Sequence, residues 1–189
     1  IELPIVQAPM GGAGGPALAA AVCNAGGLGM LALWHADADT MRRQIRETRA
    51  LTSRPFGMNL NLEFRQEKRL AVCLEERVPI ISFFWRDPID LVPRAKEGGA
   101  IVMHTVGSAA DAKRAIDAGV DIVIAQGWEA GGHVRGTVAT MPLIPAVVDA
   151  VSPAPVVAAG GIADGRGLAA ALALGASGVW IGTRFLASN

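Results

Sequence analysis

Short apolar runs punctuate this chain at near-regular intervals. Each is bounded by glycine, proline or a polar cluster, and the longer stretches between them carry apolar residues at helical spacing. Runs such as Ile122-Val123-Ile124-Ala125 and Val156-Val157-Ala158-Ala159 are apolar at every position. Strands of that kind belong to parallel sheets covered by helices on the outside. The runs predict eight strands, at residues 5–8, 28–32, 56–60, 79–84, 100–105, 121–125, 155–159 and 178–182. Most begin 21 to 28 residues after the one before; the sixth-to-seventh gap is longer, at 34. Several intervening helices end at glycine two or three residues before the next strand, as in Glu97-Gly98-Gly99-Ala100-Ile101 and Asp117-Ala118-Gly119-Val120-Asp121. A residue just past a helix end often needs positive φ, which glycine adopts without strain.

Eight repeating strand–helix units fit an α/β fold of the closed (β/α)8 TIM-barrel type. An open doubly wound sheet is the competing arrangement. It is disfavoured because no Gly-x-Gly-x-x-Gly turn follows the first strand. Only seven residues, 183–189, follow the last strand, and the chain starts without methionine directly at the first. A final helix needs about ten residues. The expectation is therefore one barrel domain, residues 1–189, lacking its last helix and any C-terminal helical segment, and forming a fragment of a longer chain.

Composition narrows the partners. Seventeen basic and seventeen acidic residues cancel, which argues against nucleic acid and anionic membranes. The longest weakly polar stretch, residues 167–181, is too short for a bilayer span of about 20 residues and is broken by Gly175 and Gly178. Cys23 and Cys73 match no metal spacing. They read as reduced, buried thiols of a cytoplasmic protein, and no metal site is assigned.

All strand carboxyl ends of a barrel meet at one face, and loops there carry function. After the sixth strand comes Gln126-Gly127-Trp128-Glu129-Ala130-Gly131-Gly132-His133, a histidine on a glycine-hinged loop. Imidazole accepts a proton near neutral pH, so His133 is the candidate base, although a lone loop histidine is commonly a surface residue. After the seventh comes Gly160-Gly161-Ile162-Ala163-Asp164-Gly165-Arg166-Gly167, leading into a helix that Asp164 can cap. After the eighth comes Gly182-Thr183. Loops after strands seven and eight frequently form phosphate sites in such barrels. Asn59 and Asn61 share one face of the third strand and suit either a flavin's pyrimidine edge or a structural role. Trp34, Trp85 and Trp128 could wall an apolar pocket, although aromatics at strand ends more commonly belong to core or rim. His104 lies on the opposite face from Met103 and Thr105 and reads as a packing or capping residue, and His35 as solvated.

These motifs together resemble the nitronate monooxygenase (2-nitropropane dioxygenase) family. The matching pieces are Gln7-Ala8-Pro9-Met10-Gly11, Asn24-Ala25-Gly26-Gly27-Leu28-Gly29, Pro55-Phe56-Gly57-Met58-Asn59-Leu60, the Ala125–His133 stretch, Ala159–Gly167 and Gly182-Thr183-Arg184-Phe185-Leu186. The resemblance implies an enzyme that uses flavin mononucleotide (FMN) and O2 to oxidise alkyl nitronates, and potentially nitroalkanes, to a carbonyl compound and nitrite. It makes His133 the catalytic base. Met10, Asn59 and Gln126 would contact the flavin ring, Gly131 and Gly132 would line its approach, and Gly160, Gly161, Gly182 and Thr183 would hold its phosphate. The implied partners are small molecules, with a homo-oligomer left open. Thr105 stands where some relatives carry lysine, and the family continues past the eighth strand into a helical segment. The rival readings are a flavin-dependent enoyl-acyl-carrier-protein reductase, an NAD(P)H:quinone reductase, and a flavin- or phosphate-binding module without activity.

Overall fold

The computed structural model describes residues 1–188. Eight strands form one parallel sheet: β1 Ile5–Gln7, β2 Met30–Ala32, β3 Gly57–Asn61, β4 Ile80–Phe84, β5 Ile101–Val106, β6 Ile122–Gln126, β7 Val156–Ala159 and β8 Gly178–Ile181. Every predicted strand is present, with its boundaries within two residues of those read from the apolar runs. The spatial order β1-β8-β7-β6-β5-β4-β3-β2 wraps the sheet until its two ends meet. At that seam the ladder is thin, a single bridge from Val6 to Leu28. The buried Gln7 side chain reinforces it by accepting from the Met30 N–H at 3.1 Å. A glutamine carboxamide here substitutes for a missing rung of backbone pairing.

Between the strands lie α1 Pro16–Asn24, α2 Ala38–Leu51, α3 Glu67–Glu75, α4 Val92–Glu97, α5 Ala109–Asp117, α6 Thr140–Val151 and α7 Gly165–Ala173. The absence of a helix after β8 was too strict an expectation. One turn, α8 Thr183–Leu186, follows it, built on Gly182 O accepting from the N–H groups of Phe185 and Leu186. A single turn closes with those two bonds and does not need the ten residues of an independent helix. Among the described residues, no helix is long and apolar enough to cross a membrane.

The two-residue period of each strand divides the core. Val6, Met30, Ile80, Met103, Ile124 and Val157 pack together inside the barrel, with Trp180 against them. Gly57 leaves room for the Met30 thioether, since a Cβ there would lie 2.3 Å from that sulfur. The alternate residues, among them Met58, Leu60, Ile81, Phe83, Val102 and Val123, pack outward against the helices. Cys23 and Cys73 are buried, unpaired thiols in this outer layer. Burial raises both thiols, Cys73 to about 12. Gly99 ends α4 at φ +82°, as its position predicts. The end of α3 has the same left-handed conformation at Arg77, φ +51°, where no glycine advertises it.

Candidate active site

The inward-facing residues at the strand carboxyl ends are not filled by apolar side chains. They open into a cavity of about 810 Å³ lined by residues from the ends of β1 and β3 through β8. His133, Met10, Asn59, Gln126, Gly131, Gly132, Gly160, Gly161, Gly182 and Thr183 all line it. Residues spread over more than 170 positions of sequence thus meet because parallel strands deliver all their carboxyl ends to one rim.

The β7 and β8 ends form a backbone cradle. Gly160 and Gly161 adopt φ +112° and +68°, and a Cβ on Gly160 would come within 2.6 Å of the Thr140 hydroxyl. The N–H groups of Gly161, Ile162, Gly182 and Thr183 donate to no protein acceptor among the described residues. Asp164 caps α7, accepting from the N–H groups of Arg166 (3.0 Å) and Gly167 (3.3 Å). The Arg166 guanidinium clasps the same carboxylate and, with these bonds, holds it below the usual carboxylate range. That pairing takes Arg166, 93% exposed, out of the cavity, whereas Arg184 lines it. The open donors are therefore those of the glycine turns, and not those capped by Asp164.

On the facing side, Asn59 donates to Ser82 Oγ at 2.8 Å across directly paired strands, leaving its Oδ1 without a protein partner among the described residues. Asn61 accepts from the Glu63 N–H at 2.9 Å. Phe84, Ile124 and Trp180 give the cavity apolar surface, and Trp34 closes the β1 side. A Cβ on Gly11 would sit 2.9 Å from the Trp34 ring. The other two tryptophans do not wall the cavity. Trp128 is 62% exposed, because its N–H is tied to Val138 O and its side chain stays outside the loop. Trp85 packs beside His133, with ring centroids 6.0 Å apart. His35 is exposed against Phe64.

The loop carrying His133, residues 127–139, is tied down at five places. Gln126 Nε2 donates to His133 O at 2.9 Å, while its Oε1 accepts from the Arg135 N–H at 3.2 Å. Glu129 accepts the Thr140 N–H at 3.0 Å with each carboxylate oxygen and so caps α6, whose own N-cap residue Ala139 has no side-chain acceptor. Burial acts to raise the Glu129 carboxyl, but these backbone and Thr140 bonds outweigh it and hold the group low. Gly136 lies against Gly107 so tightly that a Cβ on Gly107 would be 2.6 Å from the Gly136 Cα. A Cβ on Gly131 would be 2.5 Å from Thr183 Oγ1, which seats the loop on α8. A further tie is Arg135, whose guanidinium reaches Trp85 O, His104 and Asp87.

Sequence reasoning missed Ser82, Gln7, Gly107 with Gly136, and Arg135. Ser82 carried a usable signal, a hydroxyl inside an otherwise apolar strand. Arg135 carried none, since a charged residue in a glycine-rich loop usually faces water.

An eight-stranded parallel barrel whose glycine turns and loop histidine border one cavity at the strand carboxyl ends defines an enzyme-like scaffold. The profile of the nitronate monooxygenase family matches residues 1–67 and 62–189. The chain belongs to that family, one of flavin oxidoreductases. It is 45% identical over 98% of its length, and 52% of the relative's, to a (3aS,4S,5R,7aS)-5-hydroxy-7a-methyl-1-oxo-octahydro-1H-indene-4-carboxyl-CoA dehydrogenase of Rhodococcus jostii. Among solved structures, FabK from Thermotoga maritima superposes with a TM-score of 0.96 at 46% identity, covering all of this chain and 60% of that one. Nitroalkane oxidase from Streptomyces ansochromogenes superposes with a TM-score of 0.91 at 37% identity, covering 98% of this chain and 66% of that one. The chain spans about half the length of the curated relatives it matches first.

Proposed function

We propose that the chain binds FMN in the barrel-mouth cavity and oxidises alkyl nitronates with O2 to a carbonyl compound and nitrite, with His133 as the base that admits neutral nitroalkanes. The observation that carries this reading is the convergence of His133 and the two glycine turns on one cavity of about 810 Å³. The cavity suits a flat phosphorylated ring: its volume lies within the range of cofactor sites, and it combines apolar surface, unused backbone donors and the free Asn59 Oδ1.

In this reading the N–H groups of Gly161, Ile162, Gly182 and Thr183 bind the phosphate, with Gly160 giving the turn its approach. Asn59 accepts from the ring edge, Met10 packs on it, and Gln126 contacts it while holding the loop. Gly131 and Gly132 keep the approach to the ring free of side chains. When bound, the flavin supplies the electron transfer that no protein side chain offers. His133 removes the proton on the carbon bearing the nitro group, converting a neutral nitroalkane to its nitronate. A nitronate arrives as the anion and needs no such step. Replacing His133 by alanine then lowers turnover of a neutral nitroalkane by about a hundredfold or more and changes nitronate turnover far less. Nitrite release from each substrate measures this, and equal losses on both would rule the role out. The protein acts in the cytoplasm in this reading, in keeping with two unpaired buried thiols.

A second reading is favoured by a specific observation. The carboxyl-CoA dehydrogenase and FabK are 45–46% identical to this chain, against 37% for the nitroalkane oxidase. In that reading the substrate is a thioester, and His133 handles a proton on a carbon activated by its carbonyl. Two assays separate them: rapid anaerobic NAD(P)H oxidation with an enoyl thioester supports the second, and nitrite formation from a nitronate in air supports the first.

A further inference from the structure

We propose that Arg135 is a positioning residue for His133, locking its imidazole over the cavity by fastening the loop to the ends of β4, β5 and β6 at once. This rests on the reading of His133 as the proton-handling group. The guanidinium is only 16% exposed, although it belongs to a surface loop. It donates to Trp85 O just past β4, to Asp87 Oδ1 at 3.1 Å and to His104 Nε2 at 3.2 Å on β5, and it lies 3.7 Å from Asp111 on α5. Its backbone N–H goes to Gln126 at the end of β6, the same amide that holds His133 O. Gly136, the next residue, is the one pressed against Gly107. The chain is thus fixed immediately downstream of His133 from three directions.

Two details indicate that this clamp is built and not incidental. Arginine has only donors, so the His104 Nε2 facing it must carry a lone pair. The proton of the neutral ring then sits on Nδ1 and donates to Phe83 O at 3.1 Å. A fully buried histidine is held in one tautomer to receive Arg135. Trp85 adopts φ +80°, a conformation costly for a bulky residue and one that persists where surroundings enforce it. The carbonyl aimed by that strained residue is the one Arg135 takes, and its indole packs beside the His133 ring. An arginine serving solubility alone would need neither arrangement.

The test compares Arg135→Met and Arg135→Lys with the parent, each loaded with FMN. In R135M, kcat on a neutral nitroalkane should fall about tenfold to a hundredfold, as expected when a base is displaced by about an ångström. KM, nitronate turnover and FMN affinity should change less than about threefold, because none of them uses the base, and R135K should restore part of the loss. NMR gives a readout independent of turnover. The carbon-bound ring protons of His133 should carry a ring-current shift from Trp85 that collapses in R135M. Equal losses on both substrates, or a His133 spectrum unchanged in R135M, would overturn the proposal. If the parent converts neither nitro compound, the proposed function has failed, and the NMR comparison alone still decides whether Arg135 positions His133.

Discussion

Acidification should destabilise this fold through one residue, His104. Its side chain has no solvent exposure, sandwiched between Phe83 O and the Arg135 guanidinium. Burial first, and the Arg135 charge second, push its pKa from 6.5 down to about 4, while the bond to Phe83 O, and then Asp87 and Asp111, only partly oppose this. Between those two values the unfolded chain binds a proton that the folded chain refuses. Stability is therefore complete above about pH 6.5 and is lost as pH falls toward 4. At about 1.4 kcal/mol per pH unit, the full window is worth about 3 kcal/mol, and the part above pH 5 about 2 kcal/mol. Urea melts of the parent and of His104→Gln at pH 7 and pH 5, at one ionic strength and one ligand concentration, isolate the contribution. The substituted carboxamide can still accept from Arg135 but cannot titrate. The other histidines are common to both proteins and cancel in the comparison. The parent should lose about 2 kcal/mol more than the variant between the two pH values. A difference under about 0.5 kcal/mol would refute the burial argument.

Other consequences follow from backbone geometry. Gly160→Ala places a methyl 2.6 Å from Thr140 Oγ1 at φ +112° and should cost about 2 kcal/mol or more in urea melts. Adding Thr140→Ala should return only the share owed to the overlap, leaving the dihedral strain. Arg77→Gly relieves a left-handed arginine at the end of α3 and should stabilise by about 0.5–1 kcal/mol, read from the same melts. Asp87 should remain ionised below the usual carboxylate range: burial acts to raise it, but the bonds from Arg135 and Arg114 prevail. An NMR titration of its carboxyl carbon should therefore show a midpoint that rises in R135M.

The barrel was legible because its signals are local. Apolar runs mark strands, and glycine at helix ends marks the return to the sheet, so eight units can be counted without knowing any long-range contact. The cavity was legible for a related reason: once parallel strands are assumed, Ala8-Pro9-Met10, Asn59, Gln126, Gly160-Gly161 and Gly182-Thr183 must share a rim. Interactions that depend on which loop crosses which strand were not legible. Nothing in the sequence pairs Arg135 with His104, 31 residues earlier, or presses Gly136 onto Gly107. The outward placement of Trp128 was illegible for the same cause. A loop's inside and outside are set by ties such as Trp128 N–H to Val138 O, and periodicity says nothing about them. Arg77 shows the limit of glycine as a marker, since the left-handed turn it occupies is closed by backbone bonds from Arg77 N–H to Leu74 O and from Val78 N–H to Cys73 O, which any residue can make.

A flavin phosphate held by the two glycine turns beneath His133 is the central claim, and FMN titration of the parent and of Gly161→Asp tests it most directly. Aspartate tolerates φ +68° better than most residues, so the variant should fold while setting a negative charge in the cradle. The parent should take up one FMN per chain, turn yellow and quench the added flavin's fluorescence. G161D, with an unchanged far-ultraviolet circular dichroism spectrum, should bind at least about a hundredfold more weakly, as expected for anion repulsion at a desolvated site. A parent that leaves FMN fluorescence untouched, or a G161D variant that binds as tightly as the parent, would contradict the claim.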